Sequence, residues 1–159
     1  MIAVLLGRKH SAPGRNAMRW MLAGLAVWAF CYAMITLSPS LDAKKFWLKM
    51  ENIGILTVPA LWLIFTVQYA QVDRWLNKYT GALLFVIPLI SLILLFSNDW
   101  FHYFYSAVRP ASESGGPLII ERGPWYLVAA SQAYLFSLIS MGVLSWRCVY
   151  YRNIYRKQL

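Results

Sequence analysis

Few side chains in this sequence could carry out catalysis or bind a metal. The histidines are His10 and His102, and the cysteines are Cys31 and Cys148. Zinc sites use closely spaced pairs of such ligands, and these residues form no such pair. No carboxylate is paired with an obvious nucleophile, and the sequence has no glycine-rich phosphate loop. We therefore expect no enzymatic activity, no metal and no cofactor.

Glu51 and Asn52 are the first candidates for a binding site. They directly precede an apolar run that begins at Ile53. They could form the polar floor of a ligand pocket at the end of a membrane helix. Alternatively, because a carboxylate suits a helix N-terminus, Glu51 could cap the helix and pair with Lys45 or Lys49.

Four further polar side chains have two interpretations each. Asn98 and His102 follow another apolar run, where His102 could titrate near physiological pH or simply belong to an interfacial aromatic belt. Gln68 and Gln132 lie inside apolar runs. Such side chains form hydrogen bonds between helices or line a pocket. We count all four as candidate ligand-binding residues.

Two prolines and several aromatic residues could shape the same pocket. Pro59 and Pro88 lie inside apolar runs, and each removes a helical hydrogen bond and bends its helix. Bends open space between helices, where ligand sites form. Trp62, Trp125 and Tyr126 would line that space or fill a core.

The composition identifies the environment of these residues. The chain has 159 residues, of which 60% are hydrophobic and 13% charged. Soluble domains carry about 25% charged residues. With a mean hydropathy of +0.51, the sequence excludes a disordered tail, a disulfide-stapled secreted module and an ordinary cytosolic enzyme. A lipid bilayer is the expected surrounding.

The apolar runs predict an all-α membrane protein with four spanning helices in one domain. The runs cover residues 20–37, 53–70, 80–96 and 125–146. Residues 98–124 form an aromatic-rich connection, with β-prone pieces around a Ser/Gly/Pro segment that predict a short hairpin or an irregular lid. Residues 147–159 form a basic tail that continues the fourth helix.

The charge pattern predicts the orientation. The net charge is +9, and short basic segments alternate with apolar runs, so membrane orientation explains this charge better than nucleic-acid binding does. Ten basic residues and one acidic residue fall on the side of the two termini, against five of each on the other side. Both termini are therefore expected in the cytoplasm, and residues 98–124 outside.

Several motifs then occur in a familiar order. They are Lys45-Phe46-Trp47, Glu51-Asn52-Ile53-Gly54-Ile55, Val58-Pro59-Ala60-Leu61-Trp62-Leu63, Phe65-Thr66-Val67-Gln68-Tyr69, Ile87-Pro88-Leu89, Ser97-Asn98-Asp99-Trp100-Phe101-His102 and Glu121-Arg122-Gly123-Pro124-Trp125-Tyr126. Together they resemble the N-terminal seven-transmembrane sensor region of bacterial histidine kinases. The resemblance covers residues 15–158 and about four of the family's helices, without a kinase domain.

The resemblance implies a sensory input domain in the bacterial inner membrane that passes a signal to a cytoplasmic output partner. We expect an apolar or amphiphilic small ligand to bind the outer half of the bundle and to shift the helices. The alternative is a non-catalytic structural or accessory subunit that packs against other membrane chains. In a self-contained sensor bundle Gln68 and Gln132 should be hidden inside, whereas a subunit could turn one toward a partner.

Overall fold

A computed structural model describes residues 13–111 and 117–156 of the chain. His10 lies outside the described residues, as do residues 112–116 of the Ser/Gly/Pro segment at the tip of the predicted hairpin. The fold is mostly helical. Four helical segments are long and apolar enough to cross a membrane: Arg15–Leu37, Leu41–Tyr69, Lys78–Phe96 and Pro124–Val149. The predicted all-α membrane architecture is confirmed.

The first two helices form a tight antiparallel pair. Helix α1 spans Arg15–Leu37 and helix α2 spans Leu41–Tyr69, with the Ser40 hydroxyl accepting a bond from the Ala43 amide at the start of α2. A Cβ atom placed on Gly54 would lie 2.5 Å from the carbonyl oxygen of Gly24. Glycine is therefore required where the two backbones cross.

Helix α2 is the central element of the bundle. In its apolar window 44% of residues are buried, against 11% in α1 and 17% in each of the other two spans. It packs against α1 and against both later spans. It runs through Pro59 without interruption, so a bend there stays a prediction. It begins at Leu41, well before the predicted start at Ile53.

The third span consists of two helices rather than the single predicted one. Helix α3 covers Lys78–Leu83 and helix α4 covers Val86–Phe96, after a short 3-10 turn at Asp73–Trp75. The break at Leu84 and Phe85 lies four and three residues before Pro88. Since proline has no amide hydrogen, it cannot bond the carbonyl of Leu84.

The connection to the last span is an ordered hairpin. A short helix α5 at Asn98–Phe101 leads into strands β1 (Tyr105–Pro110) and β2 (Leu118–Arg122), which pair antiparallel with an irregularity between Tyr105 and Ala107. Of the two predicted alternatives, the hairpin is confirmed and the irregular lid is not.

Helix α6 spans Pro124–Arg156 and begins two residues after β2. The predicted continuation of the fourth apolar run into the basic tail is confirmed as far as Arg156. The main hydrophobic core joins α2, α4, α6 and the hairpin at one end of the bundle. Its buried members are Leu48, Leu56, Leu95, Phe104, Tyr105 and Ala129.

Candidate functional site

Glu51 lies inside the bundle, facing α1. It is buried, and its Oε1 accepts a hydrogen bond of 2.9 Å from the indole nitrogen of Trp28. The interpretation of Glu51 as a helix cap is wrong, because α2 begins ten residues earlier at Leu41. Lys49 is paired instead with Asp99, at 2.6 Å. The carboxylate is therefore held across the α1–α2 interface.

Asn52, the neighbour of Glu51, joins α2 to the hairpin. Its Nδ2 donates to the Leu48 carbonyl (2.7 Å) and to the Tyr105 hydroxyl (3.1 Å), and that hydroxyl lies 3.3 Å from Asn52 Oδ1. Burial raises the pKa of Tyr105 to about 12, although the bond from Asn52 opposes the shift. Tyr105 is thus a neutral hydrogen-bonding group at ordinary pH.

These polar groups line a cavity of about 630 Å³ between α1, α2 and the hairpin, which we name the hairpin cavity. Ligand pockets commonly have volumes of roughly 300–1,000 Å³. The polar lining includes Lys44, Glu51, Asn52 and Tyr105, with Tyr32 and Thr36 from α1, and the apolar lining includes Ile35, Leu48, Ile55, Leu118 and Ile120. An apolar wall with a few converging polar groups suits a ligand with a hydrocarbon body and a polar end.

Asn98 fastens the hairpin to the end of α4. Its Oδ1 accepts from the amides of Phe104 and Tyr105, both at 2.9 Å, and its Nδ2 donates to the Tyr105 carbonyl at 2.9 Å. All these bonds go to backbone groups, so Asn98 holds Tyr105 in position. Asn98 does not itself line the hairpin cavity. It lines a second, smaller cavity.

His102 lies on the outside of the same segment. It is exposed, and its φ of 55° places it in the left-handed region, where it ends α5. It lines the second cavity and not the hairpin cavity. The sequence analysis therefore assigned Glu51 and His102 to one site, whereas the structure places them in separate cavities.

Trp125, Tyr126 and Gln132 attach α6 to its neighbours. The Trp125 indole nitrogen donates to the Ser91 hydroxyl at 3.0 Å. Tyr126 packs edge-on against Phe104, with ring centroids 5.9 Å apart. Each of the two aromatic residues also lines a separate, mainly apolar pocket beside α6.

Gln132 has a specific structural partner. Its Nε2 donates to the Leu84 carbonyl at 3.4 Å. This is the carbonyl that Pro88 leaves without its helical donor, so Gln132 compensates for the proline across the α4–α6 interface.

Trp62 and Gln68 lie in the C-terminal half of α2. Trp62 packs near Phe65, with ring centroids 6.1 Å apart, and Gln68 is half-buried. Neither residue lines the hairpin cavity. The structure does not bring them together with Glu51.

Three residues that contribute to the hairpin cavity were not among the sequence candidates. Lys44 is buried, Trp28 holds Glu51, and Tyr105 bonds Asn52. Their spacing along the chain gives no signal, because α1, α2 and the hairpin are joined only by tertiary contacts. Among residues 13–111 and 117–156, no three histidine, cysteine or acidic side chains lie close enough together to hold a metal ion.

Comparison with known proteins gives a family for this architecture. The family model described as the N-terminal 7TM region of histidine kinase matches residues 1–159. Searches of curated proteins and of solved structures give no match. The match spans the whole chain, and it agrees with four membrane-capable helices and with the resemblance noted from the sequence motifs. The chain belongs to the family of N-terminal seven-transmembrane regions of histidine kinases.

Proposed function

We propose that this membrane sensory region binds an amphiphilic small molecule in the hairpin cavity and passes the signal to a cytoplasmic output partner. The observation that supports the proposal is the convergence of Lys44, Glu51, Asn52 and Tyr105 on one apolar-walled cavity of about 630 Å³. The chain would lie in the bacterial inner membrane with both termini in the cytoplasm, as the charge pattern predicts.

The lining indicates the chemistry of the ligand. Glu51 and Lys44 are both buried there, so the polar end of a ligand would meet a carboxylate and an ammonium group. A ligand with a hydroxyl, amide or similar group matches Asn52 and Tyr105, each of which can donate and accept. The hydrocarbon body would lie against Ile35, Ile55 and Leu118.

The route to the output runs through the start of α6. The Gly123 amide donates to the Phe104 carbonyl at 2.9 Å, and the Trp125 amide donates to the Tyr103 carbonyl at 3.1 Å. A Cβ atom on Gly123 would clash with the carbonyl of Tyr103, so the two segments are in close backbone contact. Because β2 leads directly into α6, a ligand that moves the hairpin would move α6 as well.

Such a displacement is a signal only if the ligand has different affinities for two arrangements of the helices. The alternative of an accessory subunit gains no support from Gln132, which is buried and bonds Leu84 at the break between α3 and α4. Gln68 is half-buried and does not distinguish the two functions. An input domain is therefore the function that we put forward.

Photoaffinity labelling tests the binding site. The chain would be reconstituted in lipid nanodiscs, exposed to a long-chain fatty acid that carries a diazirine, irradiated and mapped by mass spectrometry. We expect the labels to lie on residues that line the hairpin cavity. In the variant Leu118→Trp, whose new side chain fills the cavity, labelling there should fall.

The matched control is Ile119→Trp, on the same strand. Ile119 is 54% exposed and does not line the cavity, so the larger ring should leave the labelling unchanged. Equal labelling of the hairpin cavity in the unchanged chain and in both variants would contradict the proposal. Labels restricted to the outer faces of α1 and α6 would contradict it too.

A further inference from the structure

We infer that the chain has a second binding site, for a compact oxyanion, on the opposite side of the hairpin from the hairpin cavity. The site is a cavity of about 250 Å³ between α2, α5 and β1, which we name the basic cavity. Three cationic side chains line it, namely Lys45, Lys49 and Arg109.

The charges of this lining favour an anion. Asp99 is the one carboxylate among the described residues that line the cavity. The lining as a whole therefore carries a net positive formal charge, even when His102 is counted as neutral. Lys45 is half-buried and forms no ion pair within the described ranges. A half-buried ammonium group without a counter-ion is attracted to an added negative charge more strongly than an exposed one.

The other two cations have carboxylate partners that an anion could replace. Lys49 pairs with Asp99 at 2.6 Å, and Arg109 pairs with Glu121 at 3.3 Å. The side chain of Asp99 is 67% exposed and that of Glu121 is 53% exposed. Ion pairs at such exposed positions are weak. A bound oxyanion can therefore draw both cations inward, while the two carboxylates return to water.

The size and the donors of the cavity define the class of ligand. Its volume is below the roughly 300 Å³ at which pockets for drug-sized molecules begin, so a small group fits. The guanidinium of Arg109 presents paired N–H donors that match phosphate or carboxylate oxygens, and the lysines add point charges. The oxyanion is a phosphate, supplied either as a free ion or as a lipid headgroup.

The two cavities share a wall. Leu48 and Tyr105 line both of them. An anion that draws Lys49 and Arg109 together would press β1 against α2, at the strand that also borders the hairpin cavity. The site does not depend on the proposed function, because its charges and volume stand whether or not the hairpin cavity binds an amphiphile.

The test is calorimetric titration of the chain in phosphatidylcholine nanodiscs with inorganic phosphate at low ionic strength. We expect saturable binding. Arg109→Gln and Lys49→Gln should each weaken it by about tenfold or more, since each removes a charged hydrogen bond. The control is Arg122→Gln, on the same hairpin. Arg122 is exposed and does not line the basic cavity, so the phosphate affinity of this variant should change little.

A second arm identifies the source of the phosphate. Native mass spectrometry would be applied to the chain in nanodiscs that contain phosphatidic acid. Retention of that lipid, lost in Arg109→Gln and kept in Arg122→Gln, supports the site with a headgroup as ligand. Saturable binding of free phosphate without lipid retention supports it with a soluble ligand. The inference is overturned if neither species binds, or if Arg122→Gln weakens binding as much as Arg109→Gln does.

Discussion

At the scale of single residues, the polar side chains near the hairpin have separate roles. Glu51 and Asn52 are adjacent in sequence, yet Glu51 bonds α1 through Trp28 and Asn52 bonds the hairpin through Tyr105. Successive residues of a helix point about 100° apart, so neighbours can serve different interfaces. The pair connects all three walls of the hairpin cavity.

Tyr105 gives a prediction about pH. Its pKa in the folded chain is about 12, raised from 10.0 by burial. Folding therefore favours the neutral phenol. The contribution of Tyr105 to stability is fully present below pH 10 and is lost as the pH rises through 12.

The measurement is the ultraviolet absorbance of tyrosinate during alkaline titration. The difference between the unchanged chain and Tyr105→Phe should show one phenol that ionises near pH 12 while circular dichroism still reports helix. In Asn52→Leu, which removes the hydrogen bond that lowers this pKa, ionisation should shift higher still. Ionisation of Tyr105 near pH 10 in the folded chain would contradict the assignment.

Sequence reasoning found several of the important residues but not their partners. The type and position of Glu51, Asn98 and Gln132 marked them as unusual in an apolar chain. The sequence could not show that Asn98 bonds three backbone groups at Phe104 and Tyr105, because that geometry depends on the turn after α5. Gln132 meets Leu84 only because α4 and α6 pack together.

At the scale of secondary-structure elements, the close crossing of α1 and α2 gives the next prediction. Gly54→Ala should destabilise the chain by about 1–3 kcal/mol, the usual cost of overpacking. The reason is that the added methyl would lie 2.5 Å from the Gly24 carbonyl oxygen, which is backbone, and 3.1 Å from the Trp28 Cβ. The environment of Trp28, and with it the tryptophan fluorescence, should change too.

The matched control is Gly142→Ala on α6, where a Cβ atom would meet nothing within 4 Å. That variant should be neutral or gain up to about 1 kcal/mol from helix propensity. Both would be measured as unfolding free energies in the same micelles. A Gly54→Ala chain as stable as Gly142→Ala would show that the two helices do not cross at this point.

The broken third span gives a prediction that couples two residues. Gln132→Leu should cost about 1 kcal/mol, because the Leu84 carbonyl then loses its donor. In a Pro88→Ala background the restored backbone amide can bond that carbonyl, so the same change should cost less. Unfolding free energies of the two single variants and the double variant form a double-mutant cycle that measures the difference. Strictly additive effects would contradict this role for Gln132.

The elements themselves were largely predictable, and their ends were not. Hydropathy located all four spans, because a run of apolar residues is the strongest signal in a membrane sequence. Hydropathy could not show that α2 extends back to Leu41, because the first turns of α2 carry the charged residues Asp42, Lys44 and Lys45 and so interrupt the apolar run. The break in the third span was not predicted as such, although Pro88 was singled out.

At the scale of the whole molecule, the main hydrophobic core and the two proposed binding cavities lie at the end of the bundle that carries the hairpin. The buried core, the hairpin and both cavities lie where α2, α4 and α6 meet the β strands. The outer faces of α1 and α6 expose large apolar side chains, as expected for surfaces that face lipid or further helices. In the proposed scheme the ligand binds at the hairpin end and the output partner lies at the other end. Helix α6, which begins at the hairpin and runs to Arg156, would connect the two.

The last prediction concerns the orientation that this scheme requires. The positive-inside rule places the basic end of α6 in the cytoplasm and the hairpin outside, since the excess of basic residues lies on the side of the termini. Cys148 is exposed near that basic end, Cys31 is 3% exposed within the bundle, and Ser106 is exposed on β1. These three positions allow the orientation to be tested with a membrane-impermeant maleimide.

In intact cells, the reagent should label Ser106→Cys in a Cys148→Ser background and leave the native Cys148 unlabelled. After the membrane is permeabilised, Cys148 should react, while Cys31 stays protected by its packing and serves as the internal control. Labelling of Cys148 from outside, with protection of Ser106→Cys, would show that the orientation is the reverse of the predicted one. The hairpin cavity would then open toward the cytoplasm, and the proposed direction of signalling would be wrong.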